Sequence, residues 1–420
     1  MIDRTTDPAA RSWIPVDDAS DFPIQNLPYG VYVRDGERRL CVAIGEHALD
    51  LRSLAESGLA DGVCDRAVLT APALNPLLGT GRATWRALRE RLFDLLVRDG
   101  DDALRTRAAT SFFIARGTAR MAVPMEVGDY VDFYSSLEHA TNLGKIFRPD
   151  GEALMPNWRW MPIGYHGRAG TIVIDGTTLR RPHGQRKGPA DVTPSYGPSR
   201  LLDIEVEIGF VTGGETHALG VPVRTYEARE HIFGMCLVND WSARDIQAWE
   251  YQPLGPFLGK SFATTVSPWI VTLDALEPFR LAGPAQEPEP LPYLKTGEAW
   301  NYDIVLDVVL ATADGAKACI ARTNYKWMYW NAAQQLAHAT ANGATARPGD
   351  LFASGTISGP TPESRGSLIE LSWRGRDAIP VGDATRTFLE DGDTVVISGR
   401  CDAKGARGIG FGSASGTIEP

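Results

Sequence analysis

The stretch LLDIEVEIGF, at positions 201–210, alternates apolar with acidic residues. Because successive side chains of a β-strand point to opposite faces, it predicts a strand with one apolar and one acidic face. The acidic face carries Asp203, Glu205 and Glu207. Same-face neighbours lie roughly 7 Å apart, so these carboxylates repel unless water screens them or a cation binds between them. Two interpretations stay open, a solvent-exposed acidic face and one side of a divalent-metal site.

The segment HIFGMCLVNDWSARDIQAWEY, at positions 231–251, changes from an apolar strand-like run to a helical pattern. We expect the helix to begin with Asp240 as its N-cap. Arg244, Gln247 and Tyr251 then lie four, seven and eleven residues further on and share one stripe with it. Such a stripe offers a metal ligand, a guanidinium for oxyanions and two neutral hydrogen-bonding groups. Alternatively, Asp240 only caps the helix while Arg244 pairs with a neighbouring acid.

A lysine follows in the loop PLGPFLGKSFATT, at positions 253–265. A phosphate-binding loop would need glycine six residues before Lys260, where Leu254 stands, so we predict no nucleotide site. Lys260 and Thr264 are instead placed to face an oxyanion or a water on a metal.

A candidate general base lies upstream, in GDYVDFYSSLEHATN at positions 128–142. This segment supplies Asp132, Tyr134 and His139, and Arg148 follows shortly after. A histidine suits general-base chemistry near neutral pH, although a surface histidine or one with its hydrogen bonds satisfied is the common alternative. Glu370 lies in the otherwise apolar run LIELSW and needs a partner if it is buried. Histidine is the obvious candidate.

Composition narrows the class of protein. The 420 residues exceed the size of most single cores, so two domains are expected. With 43% hydrophobic and 22% charged residues and a net charge of −10, the chain is typical of a globular protein and has no basic surface for nucleic acid. We expect no membrane span and no signal peptide. Five scattered cysteines favour a reducing cytoplasm.

The pattern of short strands separated by Gly and Pro turns predicts a β-rich α+β fold. We expect a small domain over residues 1–120 and a catalytic domain over 121–420. The predicted strands are Tyr29–Val33, Cys41–Ile44, Thr171–Ile174, Asp303–Leu310 and Thr394–Ile397. The predicted helices are Ala83–Val97 and Trp327–Asn342, and residues 281–291 are expected to form an exposed loop.

Several stretches together resemble the fumarylacetoacetate hydrolase family, and the likeness spans most of the chain. They are DFYSS with HATN (132–142), PNW with GYHGR (156–168), RRP with GQ (180–185), EVE (205–207), NDWSARDIQ (239–247), PLGPFLGKSF (253–262) and ASGTISG (353–359).

The resemblance implies a role for each matching position. Asp132, Glu205, Glu207 and Asp240 would bind calcium or magnesium, with manganese also possible. His139 would be the general base and Glu370 the acid that orients it, with Arg244 and Lys260 stabilising negative charge. Lys260 and Thr264 also match a second cation or oxyanion position. The implied substrate contacts are Tyr134, Arg148, Tyr165, Gln247, Tyr251 and Thr356.

The resemblance also implies an SH3-like N-terminal β-barrel, a larger C-terminal mixed sheet of β-roll type, and a homodimer. The implied activity is hydrolysis of the carbon–carbon bond of 4-fumarylacetoacetate to fumarate and acetoacetate, the last step of tyrosine and phenylalanine degradation. An isomerase, decarboxylase or hydratase of another small keto acid is the main alternative, and a noncatalytic calcium-stabilised binding protein is the other.

Overall fold

A computed structural model describes residues 3–107 and 111–420. The N-terminal region forms one antiparallel sheet with helices packed beside it. Its strands are β1 (Tyr29–Arg34), β2 (Glu37–Ile44), β3 (His47–Asp50), β4 (Phe113–Ala115) and β5 (Arg120–Ala122), and they pair in the order β4-β3-β2-β1-β5. Its helices are α1 (Leu51–Glu56), α2 (Arg66–Leu69), α3 (Asn75–Leu78) and α4 (Arg82–Leu96). The strand-rich opening and the arginine-rich helix are thus confirmed.

The remainder of the chain contains more strand than helix. Its strands are β6 (Tyr130–Phe133), β7 (Gly164–His166), β8 (Ile172–Ile174), β9 (Thr177–Arg180), β10 (His183–Arg186), β11 (Ser195–Pro198), β12 (Leu202–Asp203), β13 (Val206–Thr212), β14 (Ile232–Asp240), β15 (Ser242–Ala243), β16 (Thr264–Val266), β17 (Val271–Thr272), β18 (Arg280–Leu281), β19 (Asn301–Tyr302), β20 (Val305–Ala311), β21 (Lys317–Asn324), β22 (Leu351–Ala353), β23 (Ile379–Val381), β24 (Ala384–Arg386), β25 (Thr394–Cys401) and β26 (Ile409–Glu419). Its helices are α5 (Leu137–Phe147), α6 (Ala228–His231), α7 (Arg244–Glu250), α8 (Leu273–Leu276), α9 (Ala332–Thr340) and α10 (Leu368–Leu371). The predicted β-rich α+β class is confirmed.

Two sheets organise this region. A mixed sheet runs β7-β6-β22-β13-β14-β16-β8, with β17 also paired to β14. A second sheet runs β21-β20-β25-β26-β9. The central strand β14 of the first sheet packs against β25 and β26 of the second, and one apolar core fills the space between them. No helix within the described ranges is long and apolar enough to cross a bilayer.

The mixed sheet is a middle layer, because its two faces belong to different cores. Ile208 and Leu237 point into the core shared with the second sheet. Val211 and Val238 point the other way, into the core formed with the N-terminal helices and strands. The strands are therefore apolar on both faces, as expected for a sheet covered on both sides. Polar side chains that the sheet carries into the interior need specific partners there.

Two sequence-based expectations are wrong in detail. The stretch 201–210 is not one strand, because Asp203 ends β12, which pairs with β15, and β13 begins only at Val206. Its three carboxylates therefore do not share one face. Asp240 is not a helix N-cap: it is the last residue of β14, held there by pairing with Thr264, and Ala243 is the N-cap of α7.

A third expectation is wrong in its bounds, because the predicted helix is longer than the observed one. The helix predicted over Trp327–Asn342 covers only Ala332–Thr340, where Asn331 forms a capping box with Gln334. Trp330 is buried as expected, but it precedes the helix. The side-chain cap of Asn331 satisfies the first free backbone N–H groups and so places the start of the helix there.

Candidate active site

Four buried carboxylates converge at one place in the middle sheet. Asp132 lies on β6, Glu207 on β13 and Asp240 at the end of β14, while Glu205 lies in the link just before β13. One carboxylate oxygen from each lies within 4.8 Å of the others. Because β6, β22, β13 and β14 are neighbours in the sheet, residues far apart in sequence reach the same point. The structure thus brings together the four carboxylates among the predicted metal ligands.

The four carboxylates differ in how far hydrogen bonds and positive charges compensate their negative charge. Asp132 Oδ1 and Glu207 Oε1 are buried and have no hydrogen-bond partner in the described structure. Burial, with the charge of Asp240, raises the pKa of Asp132 well above its usual range. Burial, with the charge of Asp132, does the same to the pKa of Glu207. These are therefore two carboxyl groups of the cluster whose charged form the protein itself disfavours.

The other side of the cluster is cationic. Lys260 Nζ lies 2.6 Å from Glu205 Oε2 and 2.7 Å from Asp240 Oδ2. Arg244 Nη1 lies 2.7 Å from Glu205 Oε1. Burial would raise the pKa of Glu205, but the charges of Lys260 and Arg244 outweigh it and lower that pKa. Thr264 Oγ1 completes this side by donating to Asp240 Oδ1 at 2.7 Å.

The donor set fits a divalent cation. Buried carboxylate oxygens without partners are the hard ligands that calcium, magnesium and manganese prefer. Asp132, Glu205, Glu207 and Asp240 would hold the ion. Gly355 approaches this point with φ +77°, and its backbone N–H donates to Glu207 Oε2 at 3.0 Å. A Cβ at position 355 would meet the carbonyl oxygen of Phe133 at 2.1 Å, so only glycine fits there.

The predicted dyad is present. His139 Nδ1 lies 2.6 Å from Glu370 Oε2, and both side chains are buried. Burial would raise the pKa of Glu370, but His139 and the donors around the carboxylate lower it. An ionised Glu370 accepts the Nδ1 proton, which assigns the free lone pair of the imidazole to Nε2. The arrangement suits proton abstraction by His139.

The side chain of Glu370 is held by residues that the sequence did not suggest. Asn142 Nδ2 donates to Oε1 at 2.9 Å, and the hydroxyls of Ser358 and Ser367 donate to Oε2 at 2.9 and 2.7 Å. Asn142 lies three residues after His139 on α5, so helical spacing could have identified it. The serines come from other segments, and no local pattern marks them.

Several predicted substrate residues line the same place. The Tyr134 ring meets the His139 ring edge-on at 5.4 Å, and the Tyr165 hydroxyl donates to Asp240 Oδ2 at 3.3 Å. Gln247 Oε1 accepts from Arg244 Nη1 at 3.2 Å. Thr356 Oγ1 is buried and has no partner in the described structure. A cavity of about 330 Å³ reaches the cluster beside Tyr165, Asp240, Lys260 and Thr264.

Two predicted substrate residues lie further out. Arg148 follows α5 and donates from its exposed side chain to the backbone carbonyls of Glu152 and Ala153. Tyr251 follows α7, is 46% exposed, and its hydroxyl accepts from Gln252. Neither forms a described hydrogen bond to the cluster or the dyad.

Comparison with known proteins gives a consistent result over the whole chain. Residues 130–419 match the model of the fumarylacetoacetate (FAA) hydrolase C-terminal domain, and residues 25–124 match the fumarylacetoacetase N-terminal domain. The fumarylacetoacetase of Homo sapiens is 50% identical over 97% of this chain and 99% of its own length. That of Caenorhabditis elegans is 48% identical over 98% of this chain and 99% of its own length.

Solved structures share the fold. The fumarylacetoacetate hydrolase of psychrophilic Exiguobacterium antarcticum has a TM-score of 0.54 at 17% identity, over 93% of this chain and 99% of that one. The inhibitor complex of Cg1458 has a TM-score of 0.53 at 13% identity, over 94% of this chain and 99% of that one. The family is shown by the two family models and by the relatives that are about half identical to this chain. The chain belongs to the fumarylacetoacetate hydrolase family.

Proposed function

We propose that this chain hydrolyses the carbon–carbon bond of 4-fumarylacetoacetate, yielding fumarate and acetoacetate. Its curated relatives, half identical along nearly the whole chain, are fumarylacetoacetases. The observation that carries the proposal is the buried pair of His139 and Glu370 beside four convergent carboxylates. A noncatalytic binding protein would need no such base.

The first step is attack by water. His139 Nε2 takes a proton from a water molecule, and the water oxygen attacks the keto carbon of the fumaryl group, which becomes a carboxyl carbon of fumarate. The imidazolium that forms is stabilised by Glu370, whose carboxylate already accepts the Nδ1 proton. Asn142, Ser358 and Ser367 keep that carboxylate fixed while the charge on His139 changes.

The second step breaks the carbon–carbon bond. Its electron pair moves to acetoacetate, which leaves as an enolate, and the proton held by His139 returns to the carbon. Arg244 Nη2 is a buried N–H group without a partner in the described structure, and it can donate to an oxygen that becomes negative. Lys260 adds positive charge on the same side. A divalent cation held by the four carboxylates would supply further positive charge to the same oxygens.

The finer features of the proposal follow from the family. The bound ion is calcium or magnesium, with manganese possible, and the protein is a homodimer in the cytoplasm. Its reaction is the last step of tyrosine and phenylalanine breakdown. The all-oxygen donor set supports any of the three ions. The domain division at residue 120, an SH3-like barrel and a β-roll also belong to this proposal. The five-stranded N-terminal sheet supports the barrel.

Release of fumarate from fumarylacetoacetate tests the function directly. The purified chain is assayed as prepared, after treatment with a chelator, and after return of each ion separately. We expect fumarate release that the chelator abolishes and at least one ion restores. A chain that binds divalent ions yet releases no fumarate, and instead isomerises, decarboxylates or hydrates a related keto acid, would contradict the proposal.

A further inference from the structure

Asp203 is a fully buried carboxylate that does not belong to the four-carboxylate cluster. Its oxygens accept from four N–H groups. Oδ1 accepts from the backbone of Leu368 at 2.6 Å and of Ile204 at 2.7 Å. Oδ2 accepts from the backbone of Ile369 at 3.1 Å and from Arg244 Nε at 2.7 Å. One side chain thus links the start of α7 with the start of α10.

The contact with α10 positions Glu370, the residue that orients the proposed general base His139. Ser367 precedes this helix, but its hydroxyl donates to Glu370 Oε2 at 2.7 Å and does not cap the helix. Asp203 accepts the first two backbone N–H groups in its place. Glu370 follows Ile369 directly, so the position of its backbone depends on this contact.

The contact with Arg244 orients the guanidinium that is proposed to stabilise negative charge on a substrate oxygen. Asp203 accepts a hydrogen bond from Arg244 Nε, while Glu205 Oε1 lies 2.7 Å from Arg244 Nη1. Nη2 is then the buried group of this guanidinium left without a partner in the described residues. The two carboxylates together decide which N–H group of the planar fork is free to meet a substrate oxygen.

We propose that Asp203 is a positioning residue that holds Arg244 and Glu370 in one fixed geometry. The inference rests on the proposed function, because both residues it positions act in that reaction. Its effect is expected on the transition state, where proton transfer and charge stabilisation must occur together, and not on substrate affinity.

The test compares Asp203→Asn and Asp203→Glu with a matched control, Asp393→Asn. Asp393 is also fully buried, pairs with Arg386 at 2.8 and 2.9 Å and accepts a backbone N–H from Glu390, but it lies outside the site. We expect Asp203→Asn to lower kcat for fumarylacetoacetate by about ten- to a hundredfold with KM little changed. Asp393→Asn should lower the thermal midpoint and leave kcat near the wild-type value.

A double-mutant cycle separates positioning from general loss of structure. Arg244→Lys removes the guanidinium fork but keeps the charge, so the kcat effects of Asp203→Asn and Arg244→Lys should be clearly less than additive. Full additivity, or a change in thermal midpoint without a change in kcat, would overturn the inference.

If Asp203→Asn does not fold, Asp203→Glu decides. It keeps the charge but moves the oxygens by one methylene group, so kcat should still fall; wild-type kcat in this variant would refute positioning. An active wild type whose kcat is insensitive to position 203 overturns only this inference. A wild type that releases no fumarate overturns the proposed function, and this inference with it.

Discussion

His139 Nδ1 and Glu370 Oε2 lie 2.6 Å apart although the two residues are separated by 231 positions in the chain. The contact joins α5 to α10 in the interior, where a carboxylate without a partner would be costly. It leaves Nε2 of the imidazole free to accept a proton.

Replacing the base should abolish most turnover. We expect His139→Asn to lower kcat for fumarylacetoacetate by roughly a hundredfold or more, because no other group would take the proton of the attacking water. His338→Asn is the control. His338 lies on α9, outside the site, and its Nδ1 forms a hydrogen bond with the Tyr293 hydroxyl. Near-normal turnover by His139→Asn would contradict the general-base assignment.

Glu370 should make stability depend on pH in a defined direction. The pKa of Glu370 is lowered in the folded state, so its ionised form stabilises the fold above the unfolded pKa, about 4.3. That contribution is lost as pH falls through the lowered folded value. The difference in free energy of unfolding between wild type and Glu370→Gln should therefore be largest near pH 7 and shrink below about pH 4, as urea unfolding would measure.

The control for this measurement is Glu289→Gln, which removes an exposed ion pair with Lys295. Such a pair contributes little at any pH. A wild type and a Glu370→Gln variant that differ equally at pH 7 and at low pH would show that the ionised carboxylate is not the stabilising form.

The effect of Glu207→Gln on stability should depend on whether a divalent cation is bound. The pKa of Glu207 is raised, so its charge destabilises the fold at neutral pH when no cation compensates it. Glu207→Gln should therefore raise the thermal midpoint in the presence of a chelator. With the cation at 100 times its Kd, wild type gains about 2.7 kcal/mol, and the variant should gain less.

Asp307→Asn is the control for the cation experiment, because Asp307 pairs with Arg322 at the surface, away from the cluster. Its response to the ion should equal that of wild type. An ion that stabilises Glu207→Gln as strongly as wild type would place the cation elsewhere.

Arg148 tests how the substrate is recognised. We propose that it contacts a substrate carboxylate, so Arg148→Leu should raise KM by about tenfold or more while kcat changes little. Arg105→Leu is a suitable control, since Arg105 is an exposed arginine that also donates to a backbone carbonyl. Unchanged KM in Arg148→Leu would remove this role.

The sequence alone determined the kinds of residue in the site and much of the local structure. Short apolar runs separated by Gly and Pro turns located strands such as β20 and β25, and the apolar surroundings of Glu370 indicated a buried carboxylate in need of a histidine. These properties depend on neighbours a few residues away, so they can be read from the chain itself. The resemblance to a family then assigned the four metal ligands by position.

The alternating pattern itself did not distinguish Asp203 from Glu205 and Glu207, and only the tertiary structure decided that the latter two enter the cluster. Alternation predicts that Asp203, Glu205 and Glu207 share a face, but the chain leaves the strand between β12 and β13. Asp203 then meets Arg244 and α10, while Glu205 and Glu207 meet Asp132 and Asp240. The physical reason is that a strand's period fixes only the face of a side chain, whereas its partners depend on pairings between segments far apart in sequence.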